Sequence, residues 1–230
     1  MGLFGQIYRD YRRYRATGGS WVLTLFFTQG FWASTVYRVN RWAVQRLRFR
    51  PLRLLAQVFL SPLNKLTEIV TGICIPASAD IGEGMYIGHF GGIFFPSRGR
   101  LGRNCSVSQG VTIGQAGTGD KRGAPTIGDR VYIGPHAIVV GKITVGDDAA
   151  VCAGAVVTRP VPPRAVVAGN PARVISYDGS FEFICYDGME GDPARLAALA
   201  AGAYPAPTSL GAAPAPALDP TLVNTGGGAP

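Results

Sequence analysis

Residues 127–157 read IGDRVYIGPHAIVVGKITVGDDAAVCAGAVV, and in them Ile127, Ile133, Val139, Val145, Val151 and Val157 return at every sixth position. Neither the helical period nor strand alternation produces a strict recurrence at six, so the stretch is a repeat before it is ordinary secondary structure. Working outward, Ile75, Ile81, Ile87 and Ile93 make an earlier run, and Leu101, Val107 and Ile113 a second. Six residues suit one flat face of a triangular prism. Three faces close a coil of eighteen residues, with Gly82, Gly88, Gly102, Gly114, Gly128, Gly134 and Gly146 after the aliphatic positions to make the corners. Stacked coils bury a column of branched side chains and satisfy their backbone groups from coil to coil, which is the solenoid answer to the exposed sheet edge. A sandwich or barrel does not hold a six-residue phase through six consecutive repeats. The spacing therefore predicts a mainly β protein built on a parallel β-helix.

Four features in order carry a family resemblance: the hexapeptide phase; the turn Tyr86-Ile87-Gly88-His89-Phe90-Gly91-Gly92; the loop from Gly114 to Pro125; and the ending Val161-Pro162-Pro163 followed by Ala168-Gly169-Asn170-Pro171-Ala172. Together they resemble the serine acetyltransferase-like branch of the left-handed β-helix acyltransferases, and are similar to acetyltransferases of exopolysaccharide and colanic-acid-type pathways. The resemblance covers residues 73–176. The left hand of the coil comes from the resemblance, because spacing carries no handedness and the general crossover rule is right-handed.

The 230 residues divide into four expected parts. Residues 1–72 form an N-terminal basic, aromatic helical region, 73–176 the β-helix, 177–192 a C-terminal extension, and 193–230 an Ala/Pro/Gly tail read as disordered. A hydrophobic content of 47% supports a real core. The net charge of +8 is concentrated: residues 1–70 hold eleven of the 22 Lys and Arg against only Asp10 and Glu68, while the other 160 residues come to −1. The uncharged window 16–37 contains too many Gly, Ser and Thr for a good membrane span. A helix lying on an anionic membrane, with Trp21, Phe26, Phe27, Phe31 and Trp32 in the interface, fits the composition, and so does a helical cap hiding these aromatics against the β-helix. Pro51 marks a helix boundary, and Ser61-Pro62 reads as an N-cap followed by the first helical position. No recognition motif supports nucleic acid. Without a cleavable leader in the first residues, a cytoplasmic location is the default, peripheral at the inner membrane face if residues 1–70 touch lipid. Cys74, Cys105, Cys152 and Cys185 have no C-x-x-C spacing and read as reduced, structural thiols.

The chemistry is expected at His89. Transfer of an acyl group from a thioester to an alcohol needs the hydroxyl proton removed during attack, and imidazole is the side chain suited to that near neutral pH. The other histidine, His136, follows Gly134-Pro135 inside a regular corner and reads as a solvated turn residue. In the family the position of His89 carries the general base, with Gly88, Gly91 and Gly92 beside the acceptor and a backbone N–H of Gly91, Gly92 or Gly114 available to an oxyanion. Nucleophilic catalysis would need a base beside Ser106, Ser108 or Cys105, and spacing singles out none. The loop Gln115–Ala124 breaks the hexapeptide phase, as binding loops in solenoids do. The resemblance implies acetyl-coenzyme A held between subunits of a homotrimer, along Gly114, Gln115, Pro135 and Ala153; charge alone suggests Lys121, Arg159 and Arg173 for its phosphates. No metal is expected. A carbonic-anhydrase-like zinc site needs three histidines, and the chain has two.

Departures from the serine-specific pattern bear on the acceptor. Cys74 stands where serine acetyltransferases have an aspartate that orients the histidine, Gly88 where they have an aspartate before it, and Gly123-Ala124 where they have an Arg-His pair. An amino acid needs an anion for its ammonium and a cation for its carboxylate. A sugar hydroxyl needs neither, so a sugar of a bacterial surface polysaccharide is the first expectation, L-serine the second, and an inactive trimeric scaffold the third. Asp80 and Glu83 are the nearest candidates in sequence for a carboxylate to orient His89.

Overall fold

A computed structural model describes residues 2–47 and 49–201. Among the described residues, fourteen of the fifteen strands pair in parallel, each with the strand one coil away, and stack into three sheets set around a common core. The face that positions the site is built from Ile73–Cys74, Ile93–Phe94, Thr112–Gly114, Ile138–Val140 and Val156–Val157. Its register sets Ile138 on Val156, eighteen residues on, as the period predicts. Ile75, Ile81, Ile87, Leu101, Val107, Ile113 and the series from Ile127 to Val157 are all buried inside the prism.

The first coil corrects the reading of Ile93. Ile73 pairs with Ile93 and Cys74 with Phe94, a step of twenty residues. The residue in the hexapeptide column is Phe95, buried beside Ile75 and Ile113, while Ile93 belongs to a second inner column with Ile73, Val111, Ala137 and Ala155. Two extra residues are therefore inserted between Ile87 and Phe95, at the turn that contains His89. Gly91 (φ +98°) and Gly92 (φ +66°) absorb them, since both lie in the left-handed region that side chains resist. After a regular step of eighteen from Phe94 to Thr112, a larger insertion from Gly114 to Pro125 lengthens the following step to 26 residues, as Thr112 pairs with Ile138.

Four helices cover the start of the β-helix: α1 (Leu3–Ala16), α2 (Trp21–Phe27), α3 (Gln29–Arg46) and α4 (Arg50–Thr71). The first coil has no earlier coil to pair with, and buried side chains of α1 and α3 take its place. Asp10 accepts from the N–H of Gly84 (2.8 Å) and Met85 (3.1 Å). Arg38 donates to the carbonyls of Ile81 and Gly82, each at 2.6 Å. Tyr14 accepts from the Ile87 N–H (3.1 Å), and Tyr37 donates to the Ala79 carbonyl (2.9 Å). Asp10 and Arg38 also pair with each other in a two-point ion pair, at 2.8 and 3.1 Å. The arginines of α1 are thus largely consumed within the fold: Arg13 donates to Ser106 (2.8 Å), Arg9 pairs with Glu83 (2.8 Å), and Arg12 pairs with Asp187.

α3 lies so close to the first coil that a Cβ on Gly30 would sit 2.2 Å from the Ile87 carbonyl oxygen and 2.8 Å from the Ile87 Cβ. Backbone cannot move aside as a side chain can, so Gly30→Ala is expected to cost about 2 kcal/mol or more, read as a lowered thermal midpoint.

One expectation about the helices changes, at Pro62. The uncharged window is broken at Thr28 into α2 and α3, and no helix among the described residues is long and apolar enough to cross a membrane. Pro51 does open α4, but Pro62 lies inside it rather than beginning a new helix. The proline ring sits on the exposed side, while Gln57, Asn64 and Thr67 on the other side turn inward and Asn40 of α3 donates to Asn64 (3.0 Å), holding the helix through the lost bond.

After the last coil, Arg173–Ser176 adds an antiparallel strand, on Val166–Ala168. Residues 177–192 then run back along the same sheet: Ser180 donates to the Arg130 carbonyl (2.5 Å), and Phe183 stacks on Tyr132 with centroids 4.6 Å apart. Residues 193–200, read from sequence as the start of a tail, form α5 (Pro193–Ala200). Asp192 caps it through the Ala194 N–H (2.9 Å), and Ala and Leu are strong helix formers. Residues 202–230 of that expected tail lie outside the described residues.

Candidate active site

Successive corners stack along one edge of the prism, and their backbone bonds order them. The Gly91 N–H donates to Thr71 O (2.9 Å), Gly110 N–H to Gly91 O (2.9 Å), His136 N–H to Gln109 O (2.9 Å), and Gly154 N–H to Pro135 O (2.8 Å). His89, Gly110, Pro135 and Ala153 therefore belong to consecutive turns of one edge, spaced by roughly 4.8 Å per coil. The imidazole of His89 is exposed, lies in the expanded corner, and makes no hydrogen bond to any described residue. His136 is exposed at a regular corner with φ +58°, its ring over Gly110, where a Cβ would fall 2.2 Å from Nδ1.

The Gly114–Pro125 loop occupies the next edge, across the sheet face that carries Cys74, Phe94, Thr112, Ile138 and Val156 on its outside. Ala116 and Gly123 bridge its two arms, Gly141 N–H donates to Gly114 O (3.1 Å), and Lys142 Nζ donates to Asp120 O (3.2 Å). A cavity of about 430 Å³ lies between the loop and the coil beyond it, lined by Lys121, Lys142 and Thr158 among others. Of the residues named from sequence, Gly88, Gly91, Gly92, Pro135 and Ala153 fall on the histidine edge, and Gly114, Gln115 and Lys121 on the loop edge. Arg159 follows Thr158 at the loop edge, exposed. Arg173, also exposed, starts the antiparallel strand at the far end of the stack and donates to the Ala172 carbonyl (3.1 Å).

Several alternatives close. Asp80, on another sheet, is bound by Arg41 and Arg100, and Glu83, one corner before His89, is bound by Arg9; neither is free to orient the imidazole. The Gly91 N–H is committed to the Thr71 carbonyl (2.9 Å), which removes it from the three candidate oxyanion donors. Ser106 accepts from buried Arg13, and the Cys105 thiol donates to Gly128 O (3.1 Å), its pKa pushed up to about 12 by burial. Neither is a nucleophile.

One residue was missed by sequence reasoning. Glu68, in the last turns of α4, places Oε1 3.6 Å from the Cys74 sulfur, accepts from Asn64 Nδ2 (2.9 Å), and pairs with Lys65. α4 ends at Gly72, whose carbonyl accepts from Ile93 N–H (3.0 Å), so the helix end is joined to the far side of the His89 turn. Burial first, and then the Glu68 charge, hold the Cys74 thiol above the ordinary thiol range, so it remains a neutral donor to that carboxylate. The signal was a lone acid in a long acid-free stretch, placed one helical turn before a glycine stop.

Comparison with known proteins agrees with this architecture. Residues 124–159 match the family described as bacterial transferase hexapeptide (six repeats). The chain is 38% identical over 151 residues to the serine acetyltransferase of Mycobacterium tuberculosis, covering 66% of this chain and 62% of that one. It is 35% identical over 162 residues to that of Bacillus licheniformis, covering 70% of each. Soybean serine acetyltransferase superposes with a TM-score of 0.63 at 33% identity, over 75% of this chain and 69% of that one. The Neisseria gonorrhoeae enzyme, solved in complex with serine, gives 0.62 at 30%, over 76% and 69%. The chain spans about 60% of the length of several of these curated relatives, 62% for M. tuberculosis and 58% for Synechococcus elongatus. The β-helix is left-handed, as in these neighbours, and the chain belongs to the serine acetyltransferase-like hexapeptide-repeat acyltransferases.

Proposed function

We propose that the protein is an acetyl-coenzyme A-dependent O-acetyltransferase in which His89 is the general base. The observation that carries this reading is the position of His89: an exposed imidazole in a glycine corner enlarged by two residues, on the edge facing the inserted loop. His89 accepts the hydroxyl proton as the acceptor oxygen attacks the acetyl carbonyl, the N–H of Gly92 or Gly114 stabilises the oxyanion, and the resulting imidazolium protonates the departing thiolate. No covalent intermediate on the protein is required. The pantetheine arm runs over Gly114, Gln115, Pro135 and Ala153, and its phosphates meet Lys121, Arg159 or Arg173.

A homotrimer completes the groove. The outward side of α4 supports this: Leu52, Leu55, Phe59, Leu66 and Ile69, all exposed, follow a three-four spacing, the seam of helices that pack on one another, and exposed Phe90 and Phe94 continue the apolar surface to His89's turn.

The relatives' names point to L-serine as acceptor, and Glu68 returns a carboxylate to the neighbourhood of Cys74 where the amino-acid pattern lacks one. A sugar hydroxyl is the second reading, favoured because Gly88, Gly123 and Ala124 offer no charged group to a zwitterion. The test is thiol release from acetyl-coenzyme A with L-serine and with a panel of nucleotide sugars. We expect turnover on L-serine; turnover confined to sugars supports the second reading, and no release with any acceptor leaves the inactive scaffold.

A further inference from the structure

Of the seven residues of α2, only Thr24 is buried. Trp21 (56%), Leu23 (56%), Phe26 (60%) and Phe27 (65%) stand out into solvent, with Val22 and Leu25 also exposed. Phe31, expected from sequence in the same interface, is instead buried edge-on against Tyr14 at 5.7 Å, and Trp32 donates its indole N–H to Leu25 O (2.8 Å), tying α2 to α3. What remains is a short helix whose apolar side chains face outward around most of its circumference. A helix that docks in a protein groove carries its anchors on one stripe, as α4 does at its three-four seam. α2 has no such stripe.

The helical region that carries α2 is one-sided in charge, with its α3–α4 elbow at the far end of the 18-residue α3 from α2. From residue 11 to residue 67 the chain has no Asp or Glu, and Asp10 is buried against Arg38. Once the arginines that cap the β-helix are set aside, Arg46, Arg50 and Arg53 at the α3–α4 elbow pair with no described residue, and Arg15 next to α2 bonds only the Gly19 carbonyl. Exposed Trp and Phe with unneutralised arginines match the boundary of an anionic bilayer, where aromatic rings settle at headgroup depth and guanidinium groups meet lipid phosphates.

We propose that α2 is a membrane-docking element that inserts Trp21, Leu23, Phe26 and Phe27 into the interface of an anionic lipid bilayer, with the unpaired arginines of the helical region adding electrostatic attraction. The inference is independent of the acceptor and of the role of His89. Docking through a finger of this kind holds the β-helix beside a surface without any segment crossing it.

The full-length protein is incubated with phosphatidylcholine vesicles and with equimolar phosphatidylcholine–phosphatidylglycerol vesicles, and binding is read by flotation. Expected are binding to the anionic vesicles, at least tenfold weaker binding to the zwitterionic ones, weakening as salt rises through about 0.5 M, and a further loss of at least tenfold in Phe26→Ser/Phe27→Ser. That double variant should keep its thermal midpoint and its acetyl transfer to a soluble acceptor, since both phenylalanine side chains stand out in solvent. Equal binding of variant and wild type to anionic vesicles overturns the proposal. So does absence of vesicle binding, and if the variant also changes the sedimentation coefficient, α2 is a contact between copies of the chain.

Discussion

His89→Ala is expected to lower kcat for acetyl transfer by about 10²- to 10⁴-fold, the range that a positioned general base supplies, with little change in the KM for acetyl-coenzyme A. The side chain is exposed and bonds no described residue, so its removal should leave the thermal midpoint where it was. The measurement is thiol release in steady state on matched, folded protein. A variant with more than a tenth of wild-type kcat would mean that the proton leaves by another route. Glu68→Gln belongs in the same experiment. Its carboxylate is the one the fold brings to Cys74, so loss of charge there should reduce kcat/KM for L-serine by about tenfold if it stabilises an imidazolium or holds an acceptor's ammonium. The two roles separate in the kinetics: a positioning role lowers kcat, whereas an ammonium-binding role raises the KM for L-serine and spares uncharged acceptors.

The prism was legible because a β-helix buries one branched residue per face per coil, and the period of six survives wherever faces are regular. Ile93 shows the limit of that reading. It falls on the six-residue count from Ile87 by coincidence, and so hides the two-residue insertion at the most consequential corner. Each strand has two inward positions, and only the register of Cys74 on Phe94 assigns Ile93 to one column and Phe95 to the other. The site was legible to the extent that it is local: His89 and the glycines around it lie in one turn. Glu68 was not, because its neighbour Cys74 is reached by a helix end and a chain reversal at Gly72 that periodicity does not encode. The basic N-terminal region was legible only in part for the same reason. Tyr14, Arg13 and Arg38 look like surface residues in sequence, but their partners lie tens of residues away: Arg38 reaches Ile81 and Gly82, and Arg13 reaches Ser106. Only what those contacts leave over, α2 and the elbow arginines, keeps the character of a docking surface.

Arg38→Met should destabilise the protein by about 3–5 kcal/mol, the cost of stranding one partner of a buried ion pair. Asp10 would keep the Gly84 and Met85 N–H groups but lose its only cation, at 1% exposure. In a chain of this length that corresponds to a fall in thermal midpoint of roughly 10 °C. Asp10→Asn should do comparable damage from the other side, leaving the Arg38 guanidinium buried and uncompensated. The double variant Asp10→Leu/Arg38→Met separates the ion pair from the cap. If the two residues served only each other, removing both charges would restore most of the lost stability, since a buried pair often contributes little against apolar replacements of similar size. Their hydrogen bonds to Ile81, Gly82, Gly84 and Met85 argue otherwise: the double variant leaves two N–H and two C=O groups of the first coil buried without partners, at about 1–3 kcal/mol each. We therefore expect the double variant to stay well below wild type in chemical denaturation, with fraying confined to the first coil and read by hydrogen exchange at residues 81–87. A double variant as stable as wild type would mean that the first coil closes without its helical cap, and that α1 and α3 are attached to the β-helix for some purpose other than ending it.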